Sequence, residues 1–121
     1  MSGAIRILAV DNEPSVTLSI RYVFAGPRYQ VTCAESGQAA LAHLESDPYD
    51  VIIVDERMPQ LTGSQLVTEI KRRRIDGKII VVSANVSAEA RATYEQMGVS
   101  VMFSKPFNVE VLRSAVDRLA V

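Results

Sequence analysis

The stretch Val51-Ile52-Ile53-Val54-Asp55-Glu56-Arg57-Met58-Pro59 decides the fold. Four β-favouring apolar residues run straight into a carboxylate, and a turn bounded by proline follows. A continuous apolar run of this length between turn signals reads as a strand buried on both faces. Such a strand belongs at the centre of a parallel sheet. Its last residue emerges at the C-terminal edge of the sheet, where open α/β folds keep their ligand sites. Asp55 is therefore the first candidate functional residue.

Upstream, Ile5 to Val10 forms a second apolar run, ending at Asp11. After Asn12, Glu13 and Pro14, the residues Val16, Ile20, Val23 and Phe24 share one helical face, with Pro14 suited to the first turn. Gly26-Pro27 ends that helix. Tyr29 to Cys33 reads as a short strand. Ser36 is placed to cap a helix carrying Ala40, Leu41 and Leu44, closed by Asp47-Pro48. Downstream, Thr62 and Gln65 have the spacing of a capping box, and Leu66, Val67 and Ile70 face inward. Lys71 to Arg74 lies near the end of that helix, where cations suit the helix dipole, so a solvated helix end is preferred to a nucleic-acid patch. Ile79 to Val82 predicts strand four, ending at Ser83. Ser87 caps a helix with Ala90, Tyr94 and Met97 on one side, stopped by Gly98. Val99 to Phe103 predicts strand five, leading to Ser104-Lys105-Pro106. Asn108 caps a last helix with Leu112, Ala115, Val116 and Leu119 inward. Five alternations of strand and helix with short connections call for right-handed βαβ units, a parallel sheet and helices on both faces.

The 121 residues suit one domain with a real core. A hydrophobic content of 48% with 22% charged residues argues against disorder. The net charge of −1 points to no direct nucleic-acid or membrane binding. The single cysteine, Cys33, excludes an internal disulfide and is expected as a buried thiol in a reduced compartment. No apolar segment approaches the ~20 residues of a membrane span. With no signal-peptide pattern at the N-terminus, the chain reads as cytoplasmic.

Four of the five apolar runs end in a residue able to do chemistry: Asp11, Asp55, Ser83 and Lys105. Taken singly, an aspartate after a strand is a turn former, a serine a helix cap and a lysine a solvated charge. In a parallel sheet all four meet at one edge, which turn chemistry does not explain. Clustered carboxylates with a backbone carbonyl suit a hard cation such as Mg²⁺, which takes one or two carboxylates and keeps waters. An ammonium and a hydroxyl beside them supply donors for an anion. Together these groups make a phosphoryl-transfer site with a carboxylate as acceptor.

Asp11-Asn12-Glu13-Pro14, Asp55 to Pro59, Ser83-Ala84 and Lys105-Pro106-Phe107 together resemble the receiver domain of two-component response regulators, in that family's order and spacing across the whole chain. The resemblance implies a flavodoxin-like (βα)5 doubly wound parallel sheet in the order 2-1-3-4-5 over residues 1–121. It makes Asp55 the phosphoacceptor of a histidine kinase or phosphotransfer protein. It gives the phosphoryl oxygens to Ser83, Lys105 and the Ala84 amide. Mg²⁺ (or Mn²⁺) would then lie among Asp11, Asn12, Asp55 and the Arg57 carbonyl, and the Lys105-Pro106 bond would be cis. The output partner would meet helix 4, strand 5 and helix 5, with Ser83 as a switch residue, and the arrangement admits a phosphorylation-dependent dimer. Such a domain promotes only its own phosphorylation and dephosphorylation and is not otherwise an enzyme.

Three positions depart from the family pattern. Asn12 replaces an acid that usually binds the metal directly. Met102 stands where a switch aromatic is usual. Arg57 lies two residues past Asp55, beside the path of an attacking water. Asn12 and Met102 keep open a phosphorylation-independent binding module of the same fold. An aspartate-nucleophile phosphohydrolase would want an acid at Arg57. A flavin-binding module would want a Ser/Thr/Gly-rich loop where Asp11-Asn12-Glu13 stands.

Overall fold

The computed structural model describes residues 3–84 and 86–120. Strands β1 (Ile5–Val10), β2 (Tyr29–Ala34), β3 (Val51–Asp55), β4 (Lys78–Ser83) and β5 (Val101–Ser104) alternate with helices α1 (Pro14–Val23), α2 (Gly37–Ser46), α3 (Gly63–Arg72), α4 (Ala88–Gln96) and α5 (Val109–Leu119). All strand pairs are parallel, in the order β2-β1-β3-β4-β5. The alternation called for the parallel sheet with helices on both faces, and the flavodoxin-like strand order is the one the resemblance implied.

Every residue of β3 is buried, as its unbroken apolar run requires. Alternate residues serve opposite layers. Leu8, Val10, Ile52, Val54, Ile79 and Val81 pack with Leu41 and Leu44 of α2, Leu66, Val67 and Ile70 of α3, and Tyr94 of α4. Ile7, Ala9, Val51, Ile53, Ile80 and Val82 meet Ile20 of α1 and Leu112, Ala115 and Val116 of α5 on the other face. Cys33 is half-buried rather than enclosed, because β2 is an edge strand.

The expected caps form. Ser36, Thr62, Ser87 and Asn108 each accept backbone amides at their helix starts, and Thr62 and Gln65 close a reciprocal capping box. Arg72 and Arg73 pair with Glu69 on the exposed end of α3, as a solvated helix end would. Strand β5 starts two residues later than the periodicity predicts. Gly98 takes a positive φ of 87° after α4, and the Val99 amide then returns to the Tyr94 carbonyl, so Val99 finishes the helix instead of entering the sheet.

Candidate functional site

Parallel strands deliver their last residues to one edge, and here β1, β3 and β4 end beside the turn that follows β5. Asp11, Asp55 and Ser83 are all buried there, at 3%, 5% and 5% exposure. Lys105 reaches across them. Its Nζ lies 2.9 Å from Asp55 Oδ1 and 3.2 Å from Asp11 Oδ2. The Lys105 amide donates to the Ser83 carbonyl at 2.8 Å, which ties the turn to the end of β4. The Lys105-Pro106 bond is cis, as the resemblance implied.

Asp55, Ser83, Ala84 and Lys105 line one cleft of about 650 Å³ together with Asn12, Glu13 and Arg57. Asp11 joins this group through Lys105 and sits behind it; its Oδ1 accepts the Glu13 amide at 2.9 Å. Met102 lies elsewhere, buried in the apolar layer that contains Tyr94. Its β5 register sets it beside Val81, one residue short of the Val82–Phe103 pair.

Burial is the main force on the Asp55 carboxyl and pushes its pKa above the ordinary value. The Lys105 hydrogen bond pulls the other way, while the charges of Asp11 and Glu13 push it up again. For Lys105, burial opposes the charge, yet the two aspartates outweigh it and hold the ammonium pKa high. The site is thus a cation held by two carboxylates, open to the cleft on one side.

The raised Asp55 pKa has a definite sign. The folded protein holds this proton more tightly than the unfolded chain, so the associated stability is fully present below the unfolded pKa of about 3.9 and is lost as pH rises through the folded value. Asp55→Asn mimics the protonated carboxyl. In urea titrations its stability advantage over wild type should be near zero at acid pH and widen toward neutrality. A gap that narrows as pH rises would contradict the assigned electrostatics.

Two cleft residues were not singled out by the strand-end pattern. Glu13 lies two residues past Asp11 and faces the cleft, and Glu56 directly follows Asp55. Both are acids beside a strand-end aspartate, which was the available signal. Their direction could not be read, because turn geometry has no simple period.

The model of the response regulator receiver domain family matches residues 7–117. Among curated proteins, the regulatory protein AtoC of Escherichia coli is 30% identical over 119 residues, covering 98% of this chain and 26% of that protein. The chain therefore spans about a quarter of the length of that relative. The solved receiver domain of the Francisella response regulator 1452 superposes with a TM-score of 0.91 at 28% identity, over 96% of each chain. The response regulator TrrA of Thermotoga maritima, solved in complex with Mg²⁺-BeF, gives a TM-score of 0.82 at 30% identity over 95% of this chain and 98% of that one.

Proposed function

We propose, for a chain that belongs to the response regulator receiver domain family, that Asp55 accepts a phosphoryl group from the phosphohistidine of a kinase or phosphotransfer protein. Phosphorylation-dependent signalling is what this family does. The observation that carries the assignment to Asp55 is the Lys105 ammonium, which bridges Asp55 and Asp11 at the wall of an open cleft. A structural lysine would gain nothing from a cleft beside its partners, whereas a phosphoryl group needs a carboxylate to attack and a cation to receive it.

In the step proposed, an Asp55 oxygen forms a bond to phosphorus as the donor's N–P bond breaks, and the imidazole leaves with that electron pair. Lys105 turns from the carboxylate toward the phosphoryl oxygens, and the Ser83 hydroxyl and Ala84 amide donate to the same oxygens. Arg57, exposed at the rim, borders the route of a hydrolytic water. The domain promotes only its own phosphorylation and dephosphorylation. The whole chain serves as one phosphoacceptor domain, working in the cytoplasm with its kinase. Among the described residues no helix is long and apolar enough to cross a membrane. The output partner is assigned to the face of α4, β5 and α5, without direct nucleic-acid binding by this domain; a dimer on that face is the phosphorylation-dependent assembly to look for.

The donors present fit Mg²⁺. Among the described residues no three His, Cys, Asp or Glu side chains converge as a ready-made cage. Mg²⁺ does not need one, since it binds through one or two carboxylates, keeps waters and shares phosphate oxygens. Asp11, Asp55, the Asn12 amide oxygen and the Arg57 carbonyl would hold it, and Mn²⁺ suits the same oxygens. Bound there, the ion would neutralise charge on the carboxylate and the incoming phosphoryl group. The TrrA complex with Mg²⁺-BeF supports this reading.

Asn12 should weaken that ion's grip. Unit charges about 5 Å apart interact by roughly 3 kcal/mol at an effective dielectric near 20. Asn12→Asp adds such an attraction to a divalent ion, offset in part by repulsion from Asp11, Asp55 and Glu13. The metal contribution should win, because a ligand lies closer to the ion than to the other acids. Mg²⁺ titrations at one ionic strength should show about tenfold tighter binding in Asn12→Asp; equal affinities would remove Asn12 from the ligand set. The proposed function itself is tested by intact mass after incubation with acetyl phosphate. One phosphoryl group should be gained with Mg²⁺ and none with chelator, whereas a binding module would gain none in either.

A further inference from the structure

Among the described residues two buried side-chain oxygens lack a hydrogen-bond partner, and they belong to neighbouring groups: Glu56 Oε1 and the Tyr94 hydroxyl. Native proteins rarely leave buried polar atoms unpaired, so two of them close together need a reason. Tyr94 is the one fully enclosed side chain of α4, at 4% exposure. Its ring belongs to the apolar layer that holds Met102. Glu56 and Ser64 are the polar side chains that approach its hydroxyl, and Ser64 already shares a 3.4 Å contact with Thr62. Burial first, then the charge of Glu56, push the phenol up to about 12, while the approach of Ser64 lowers it and that of Glu56 raises it further, so it stays a donor across the neutral range.

Glu56 directly follows Asp55, and its main chain is pinned. Its amide donates to the Val82 carbonyl at 3.0 Å, and its carbonyl accepts the Gly63 amide at 2.9 Å. A change at Asp55 therefore reaches α4 through the Glu56 side chain rather than by moving the loop. Helix α4 is also lightly anchored, burying one residue where α3 buries four. A lightly held helix above a poorly bonded pair has a second arrangement within reach, in which the pair closes to full hydrogen-bond geometry.

We propose that Tyr94 is a positioning residue that couples the state of Asp55 to helix α4, its hydroxyl approaching Glu56 without full hydrogen-bond geometry here and closing on the carboxylate in the phosphorylated state. The proposal rests on Asp55 being the phosphoacceptor. Without phosphate, Lys105 balances Asp55, and Glu56 has no added call for a donor. A phosphoryl group brings further negative charge next to Glu56 and engages Lys105. The added charge favours any donor brought closer to Glu56, and the one at hand is the Tyr94 hydroxyl, which already approaches it. Forming that bond draws α4 toward the end of β3.

Tyr94→Phe removes the hydroxyl alone. Wild type and variant are labelled with acetyl phosphate and Mg²⁺ and read by intact mass. Backbone amide shifts across residues 88–96 are then read by NMR at saturating Mg²⁺-BeF. The variant should gain the same mass and be at least as stable, while its α4 shift changes fall to less than half of wild type. Glu56→Ala, which removes the acceptor, should show the same loss of response at saturating mimic. A full α4 response in either variant would overturn the proposal, and so would unfolding of Tyr94→Phe, which would make the hydroxyl structural. If wild type gains no mass, the phosphoacceptor reading falls and takes the coupling with it. Equal labelling with unequal α4 response isolates the Tyr94 step.

Discussion

Lys105→Ala should slow phosphoryl transfer to Asp55 by roughly a hundredfold and also cost the protein about 2–3 kcal/mol of stability. The first effect follows from removing a preorganised cation where the proposed transfer gathers negative charge in its transition state. The second is not legible in the sequence, where a strand-end lysine taken singly reads as a solvated charge. Its reason is the double contact: Nζ holds two carboxylates that are 3% and 5% exposed, and its loss leaves both buried without their counter-ion. Breaking a buried pair typically costs 3–5 kcal/mol, and the lysine's partial exposure of 22% sets the figure below that. Urea unfolding and labelling kinetics, taken at a temperature where the variant is folded, separate the two. Wild-type labelling by a destabilised variant would make the lysine purely structural.

Gly63→Ala should be the other large effect. Alanine is normally better than glycine inside a helix by about 1 kcal/mol. Here the added Cβ would lie 2.6 Å from Glu56 Cα and 2.7 Å from the Asp55 carbonyl oxygen. Both are backbone atoms, which cannot swing aside as a flexible side chain would. Overpacking of this kind costs about 3 kcal/mol at its upper range, so the clash outweighs the propensity gain and leaves a net loss of about 2 kcal/mol. The strain falls on the peptide that carries Asp55, the proposed phosphoacceptor, so labelling should slow as well. Thermal unfolding and labelling rates check this together; a variant more stable than wild type would show that α3 can back away from β3 without cost.

How much of this was legible follows from what has a period. The buried run before Asp55 and the alternations around it identify strands, and the shared edge of parallel strands brings Asp11, Asp55, Ser83 and Lys105 together. The caps at Ser36, Thr62, Ser87 and Asn108 are local chemistry and were equally readable. The start of β5 was not, because Val99 is claimed by the turn that ends α4. Nor could the sequence show that one lysine grips both aspartates, or that Tyr94 comes to rest against Glu56. Those contacts join residues far apart in the chain and depend on rotamers and helix placement. On its own, Tyr94 reads as one more apolar-face position of α4.

The most direct test of the account is the intact mass of Asp55→Asn beside wild type after treatment with acetyl phosphate and Mg²⁺. Wild type should gain a single phosphoryl group that hydroxylamine removes, as an acyl phosphate requires, and Asp55→Asn should gain none. A variant that still gains the group, or a wild-type label that survives hydroxylamine, would contradict the assignment of Asp55 as the phosphoacceptor.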